Sequence, residues 1–139
     1  MYVGFEDAFT AAQADYISLC LELAQENADT VYGFIYLTPG MTTFGVFYRK
    51  DGEIKEVEDI APDDLIDRFY DVGYGDVEKL RDICTRYEHQ CPNQIKMVYD
   101  ARTKHFDANY AYMSEAEIEK VDPDEVFNDW VAEERAKAE

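Results

Sequence analysis

TVYGFIYLTPGMTTFGVFYRKDGEIKEVEDI, residues 30–60, is the stretch on which the fold turns. VYGFIYL at 31–37 is dense in β-branched and aromatic residues, which suit a pleated and buried surface, and TFGVFYR at 43–49 repeats that character after a Pro39-Gly40 turn. The two runs pair as a hairpin. Lys50-Asp51-Gly52-Glu53 then supplies an Asp-Gly dipeptide, whose residues tolerate the positive φ of a tight primed turn, so EIKEVEDI is expected to return as a third strand. Its heavy charge places that strand at an edge or with one face in water.

Upstream, Phe9, Ala12, Tyr16, Leu19, Cys20 and Leu23 recur at spacings of three and four, predicting an amphipathic helix over 7–27 that ends at Asn27 to Asp29. Downstream, Pro62 followed by Asp63 and Asp64 fits a helix start, with Leu65, Ile66 and Phe69 inward and Gly73 closing it. Asp76 is then expected to cap a further helix whose apolar face is Val77, Leu80, Ile83, Cys84 and Tyr87, ending near Cys91-Pro92. QIKMVYD and HFDANYAYM both alternate across the short turn Ala101-Arg102-Thr103, which makes a second hairpin with Phe106, Ala108, Tyr110 and Tyr112 on one buried face. After the connector SEAEIEK, Asp122-Pro123-Asp124-Glu125 has the layout of a helix N-terminus. Val126, Phe127, Trp130 and Val131 lay that helix on the core, before a polar AEERAKAE tail that is expected to fray. The order α-β-β-β-α-α-β-β-α, without a βαβ rhythm, predicts an α+β fold: one domain over 1–139, built on an antiparallel sheet of about five strands packed against helices.

A chain of 139 residues can bury a substantial core, roughly 70% of the surface its unfolded form exposes. With Lys+Arg 13 against Asp+Glu 31 the formal net charge is -18, while an apolar fraction of 47% keeps the chain in the globular class. Such a charge repels phosphate, which argues against direct binding of nucleic acid or an anionic membrane, and it draws in basic proteins by long-range attraction. The same charge also serves plain solubility. MYVGFEDAF has neither a basic n-region nor an apolar h-region, and the three cysteines, Cys20, Cys84 and Cys91, lack a paired spacing, so reduced thiols in the cytoplasm are the expectation.

No pattern in the chain specifies catalysis. Cys84, His89 and Cys91 lie close in sequence, yet Cys84 belongs to a helix face and no CxxC spacing accompanies it, so neither a metal nor a cofactor is expected. His89 and His105 are better placed as exposed or satisfied residues than as bases for a cysteine nucleophile. Gly73-Tyr74-Gly75 lacks the third glycine and the preceding strand of a phosphate cradle and reads as a turn between helices. Phe34, Tyr36, Phe44, Phe47 and Tyr48 suit a sheet under helices, whereas eleven tyrosines exceed what a small core uses. Tyrosine among carboxylates is the composition of a protein-binding face.

An N-terminal helix, then TVYGFIYL, FGVFYRKDGEIKEVEDI, an acidic helix leading into VEKLRDICTRYEHQCPNQIKMVYDARTKHFDANYAY, and lastly PDEVFNDWVAEE resembles the YezG-like immunity proteins, from about Phe9 to Glu134. These are bacterial antitoxins that neutralise polymorphic toxins, typically nucleases. The chain departs from their pattern at Asn27-Ala28-Asp29, where a tryptophan is common, and in carrying Asp107 as the single acid inside the second strand of its last hairpin. The resemblance implies a non-enzymatic antitoxin whose partner is a cognate basic toxin domain, inhibited by occlusion and charge. The contact groups it suggests are Asp63, Asp64, Asp67, Asp71, Tyr74 and the connector acids Glu115, Glu117 and Glu119, with Asp76 and Asp122 more easily explained as helix caps. Two alternatives stay open: an acidic mimic of nucleic acid that regulates a DNA- or RNA-binding protein, and a small enzyme. The oligomeric state is left open as well.

Overall fold

The computed structural model describes residues 4–25 and 27–138. β1 (Thr30–Thr38) and β2 (Met41–Lys50) form the expected hairpin, and β3 (Glu53–Glu56), β4 (Gln94–Asp100) and β5 (His105–Ala111) complete an antiparallel five-stranded sheet in the order β3-β2-β1-β4-β5. The Asp-Gly turn has the predicted conformation, with Asp51 at φ 52° and Gly52 at φ 82°. β1 is the central strand and is buried on both faces. Val31, Ile35 and Leu37 point into one apolar cluster, and Tyr32, Phe34 and Tyr36 into another.

Helices cover both faces, which explains why the 31–37 run is continuously apolar instead of alternating. On one face lie α1 (Phe5–Leu23) and α3 (Asp63–Arg86), which pack against each other and against the sheet. On the other, α5 (Pro123–Ala138) lays Phe127, Trp130 and Val131 against Tyr32, Phe34 and Phe47. Two buried hydroxyls fix α1 to the sheet across the first face: Tyr16 donates to the Gly45 carbonyl at 2.7 Å, and Tyr48 donates to the Cys20 carbonyl at 2.7 Å. Burial forces these phenols to be hydrogen-bonded, because an unpaired buried hydroxyl costs about 1–3 kcal/mol.

The α+β class and the order of elements are as expected, with several boundaries displaced. The predicted third strand stops at Glu56, because Glu56 and Asp59 form a capping box that starts the short helix α2 (Val57–Ile60). The pair of helices between the hairpins is therefore α2 and α3, divided at Ala61-Pro62. Gly73 does not close a helix: α3 runs 24 residues straight through Gly73-Tyr74-Gly75, and Asp76 sits inside it beside Lys79 instead of capping a new one. Gly73 is there for packing, since a Cβ on it would lie 2.7 Å from the Phe44 ring. α1 begins at Phe5 and ends at Leu23; Glu26, inside the predicted span, lies outside the described residues, as does Glu139 of the expected fraying tail, whose preceding residues stay helical to Ala138. The SEAEIEK connector holds a further helix, α4 (Glu115–Glu119).

β5 keeps the predicted alternation but not the predicted burial. Phe106 and Ala108 are half-buried against the α1 side, whereas Tyr110 is 44% and Tyr112 47% exposed. The helix layer is two helices wide and stops short of the β5 edge. No helix among the described residues is long and apolar enough to cross a membrane.

Candidate functional site: an acidic, tyrosine-bearing helix face

Acids are unevenly distributed along the chain. From Glu56 through Glu78 there are nine, against the single base Arg68. At 3.6 residues per turn, Asp63, Asp67, Asp71 and Tyr74 fall on one outward face of α3, with Asp64 at its flank, and all five are exposed. Successive acids on that ladder are about 6 Å apart along the axis. Asp63 and Asp64 also occupy the first turn, where the positive end of the helix dipole favours them.

Apolar area interrupts the charge. Tyr70 and Tyr74 are two of the six large hydrophobic residues exposed among the described residues, and Met41 lies beside the same helix. Tyr70 rests on Phe44 and Phe69, with ring centroids at 5.6 and 5.2 Å. Its hydroxyl is held above the ordinary phenol range, chiefly by burial and further by the Glu58 and Asp124 carboxylates. Tyr70 therefore stays a neutral donor in this negative field. Sequence reading passed over it, although its position four residues before Tyr74 and three after Asp67 is the signal that places it beside them.

Contacts at both ends join α3 to its neighbours. Arg81 donates to the Thr38 carbonyl at 2.8 Å, to the Met41 carbonyl at 3.2 Å and to Thr42 Oγ1 at 2.8 Å, and it pairs with Glu78 at 3.2 Å. Arg68 ties the other end of α3 to Glu22 of α1 at 2.6 Å. Arg81 thus joins the helix to the β1–β2 turn, while the Arg68–Glu22 pair, exposed on both sides, adds little. A binding surface on such an element loses little conformational entropy on association.

The connector acids are elsewhere. Met113 and Val121, which flank α4, pack into the α5-side cluster, so Glu115, Glu117 and Glu119 lie across the sheet from α3 and do not join its face. Glu117 also has a structural task that was not foreseen: its carboxylate accepts the Ser114 N–H at 3.2 Å while Ser114 Oγ accepts the Glu117 N–H at 3.2 Å. Asp122 caps α5 as expected, accepting the Asp124 N–H at 3.0 Å. Of the eight contact residues suggested by the sequence, five form one surface and three do not.

The thiols and imidazoles have local partners. Burial, then the neighbouring Cys91 thiol, pushes the Cys84 thiol up to about 12, and Cys20 is raised further by complete burial. Both are protonated at neutral pH and poor nucleophiles. The His89 ring stacks on Phe5 at 3.9 Å, and His105 sits 3.2 Å from Asp107. Among the described residues no three His, Cys, Asp or Glu side chains are grouped to hold a metal ion. Comparison of the sequence with protein-family models and with curated proteins found no match.

Proposed function

We propose that this chain is an immunity protein that neutralises a basic toxin domain, in keeping with a nuclease target, by covering it with the acidic face of α3. The observation that carries this reading is the exposure of Tyr70 and Tyr74 among Asp63, Asp64, Asp67 and Asp71 on one anchored helix. A nuclease must attract a polyanion, so its working surface is basic, and a carboxylate ladder competes for that surface by the same electrostatics. The tyrosines supply what charge alone lacks: desolvated contact area with a hydrogen-bonding tip, the usual anchor of a tight interface. Inhibition is then occlusion, with no covalent step.

Co-expression with the toxin encoded in an adjacent reading frame tests the proposal. The chain should protect cells from that toxin and not from unrelated nucleases, and D63N/D64N/D67N should weaken protection. A second reading, generic mimicry of a nucleic-acid backbone, draws on the regular carboxylate spacing along α3. It predicts protection against every nuclease tried, and failure to protect against any would sink both.

A further inference from the structure

A second surface lies at the opposite flank of the helix layer, where the helices leave β5 uncovered. Phe5 and Phe9 of α1 form one wall, Tyr110 and Tyr112 the other, and the groove between them is about 360 Å³. Phe5 and Phe9 stack at 5.2 Å, and Phe9 meets the Tyr110 ring edge-on at 6.0 Å. The floor is Gln13, only 1% exposed, whose Oε1 accepts the Tyr110 hydroxyl at 3.0 Å and whose Nε2 makes a long 3.5 Å contact to the Phe9 carbonyl. Among the described residues Glu6 is the one carboxylate in the lining and no Lys or Arg is there, while the His89 ring lies flat on Phe5 at 3.9 Å.

We propose that this groove is a cation-recognition site that takes an arginine side chain from a basic partner. Aromatic faces attract a cation through their quadrupoles, and the attraction grows as the site sheds water. One face of Phe5 is taken by His89 and the other by Phe9, so the ring open to a planar guanidinium is the exposed Tyr112, with the Glu6 carboxylate of the same lining as its charge partner, a combination an ammonium uses less well. Charge points the same way: α1 carries Glu6, Asp7, Asp15 and Glu22 and neither lysine nor arginine, and its two first-turn acids offset the positive end of the dipole that opens on the groove. The chain already places Lys96 Nζ 5.3 Å from the Trp130 ring on its other face. The inference rests on the proposed partner only for the source of the arginine.

The test titrates the full chain with N-acetyl-arginine amide, its uncharged citrulline analogue and N-acetyl-lysine amide, followed by NMR of the aromatic and amide resonances. The arginine amide should give saturable shifts centred on Phe5, Glu6, Tyr110 and Tyr112, the lysine amide should bind more weakly, and the citrulline analogue should give none. Tyr112→Leu and Glu6→Gln should each weaken the arginine amide by about twofold to fivefold, with Tyr112→Phe retaining it because the ring remains. Equal shifts from the citrulline analogue, lysine binding as tight as arginine, or arginine shifts no larger here than along α3 would overturn the proposal. Because the probe is a free amide, such a result leaves toxin binding through α3 standing, and loss of toxin binding leaves the groove standing.

Discussion

Gly73 and Gly75 give the sharpest test of how α3 is built. Both lie in the interior of one helix, so replacing either with alanine gains the same propensity, about 1 kcal/mol. They differ in surroundings. A Cβ at position 75 meets nothing within 4 Å, whereas one at 73 meets Phe44 Cε2 at 2.7 Å and Leu19 Cδ2 at 3.4 Å. The Phe44 ring is hemmed in by Tyr16, Phe69 and Tyr70, with centroids at 6.0, 5.8 and 5.6 Å, and cannot simply swing away. Overpacking of this kind costs about 1–3 kcal/mol. Gly75→Ala should therefore stabilise by about 1 kcal/mol, and Gly73→Ala should fall below it by the overpacking cost alone, since the propensity gain cancels between the two. At about 3–4 °C per kcal/mol for a chain of this size, the two midpoints should differ by about 3–12 °C. Thermal unfolding followed by circular dichroism is the assay. Equal midpoints would refute the Phe44 contact, and a Gly75→Ala variant without any gain would refute a helix that continues through Gly73-Tyr74-Gly75.

Three further outcomes follow from the packing and the shifted acids. Trp130→Ala should cost about 3–5 kcal/mol in urea unfolding, because it removes the ring wedged on Tyr32 and Phe47 at 5.8 and 5.0 Å. In the native protein at neutral pH, iodoacetamide should leave Cys20 and Cys84 unmodified, since burial holds both thiols protonated; rapid alkylation of either would contradict their placement. The Asp100 carboxylate accepts the Arg102 and Thr103 N–H groups and is held below the usual carboxyl range by those bonds. A carboxyl lowered on folding stabilises above its unfolded pKa and loses that contribution as pH falls through the folded one. The melting-temperature gap between the wild type and Asp100→Asn should therefore be open at neutral pH and close on acidification; a gap that widens would be the wrong sign.

The two hairpins were legible because their signals are local: β-branched and aromatic runs, an Asp-Gly turn, and a period of two in QIKMVYD and HFDANYAYM. What escaped depends on contacts distant in sequence. Gly73 looks like punctuation until Phe44, from another strand, is seen to occupy the space beside it. The exposure of Tyr110 and Tyr112 follows from the width of the helix layer, which no stretch of the chain records. Ser114-x-x-Glu117 was different, since a capping box can be read locally, but its helix is only five residues long and lies within an acidic run that suggested a loop. At the candidate site, Asp63, Asp64, Asp67, Asp71 and Tyr74 were readable as exposed contact groups but not as one helix face, because the expected break at Gly73 put Tyr74 in a turn. That α4 stands across the sheet from them was not readable either, because the separation depends on which face α5 covers.

The association rate with the toxin domain, measured by stopped flow over a range of salt, tests the central proposal most directly. D63N/D64N/D67N should slow binding by at least about tenfold at low salt, with the difference shrinking as salt screens the field. E115Q/E117Q/E119Q keeps the capping box, because the amide oxygen of a glutamine at position 117 still accepts the Ser114 N–H, and should leave the rate near that of the wild type. A rate unchanged by the α3 substitutions and reduced by those on α4 would contradict the account and move the interface across the sheet.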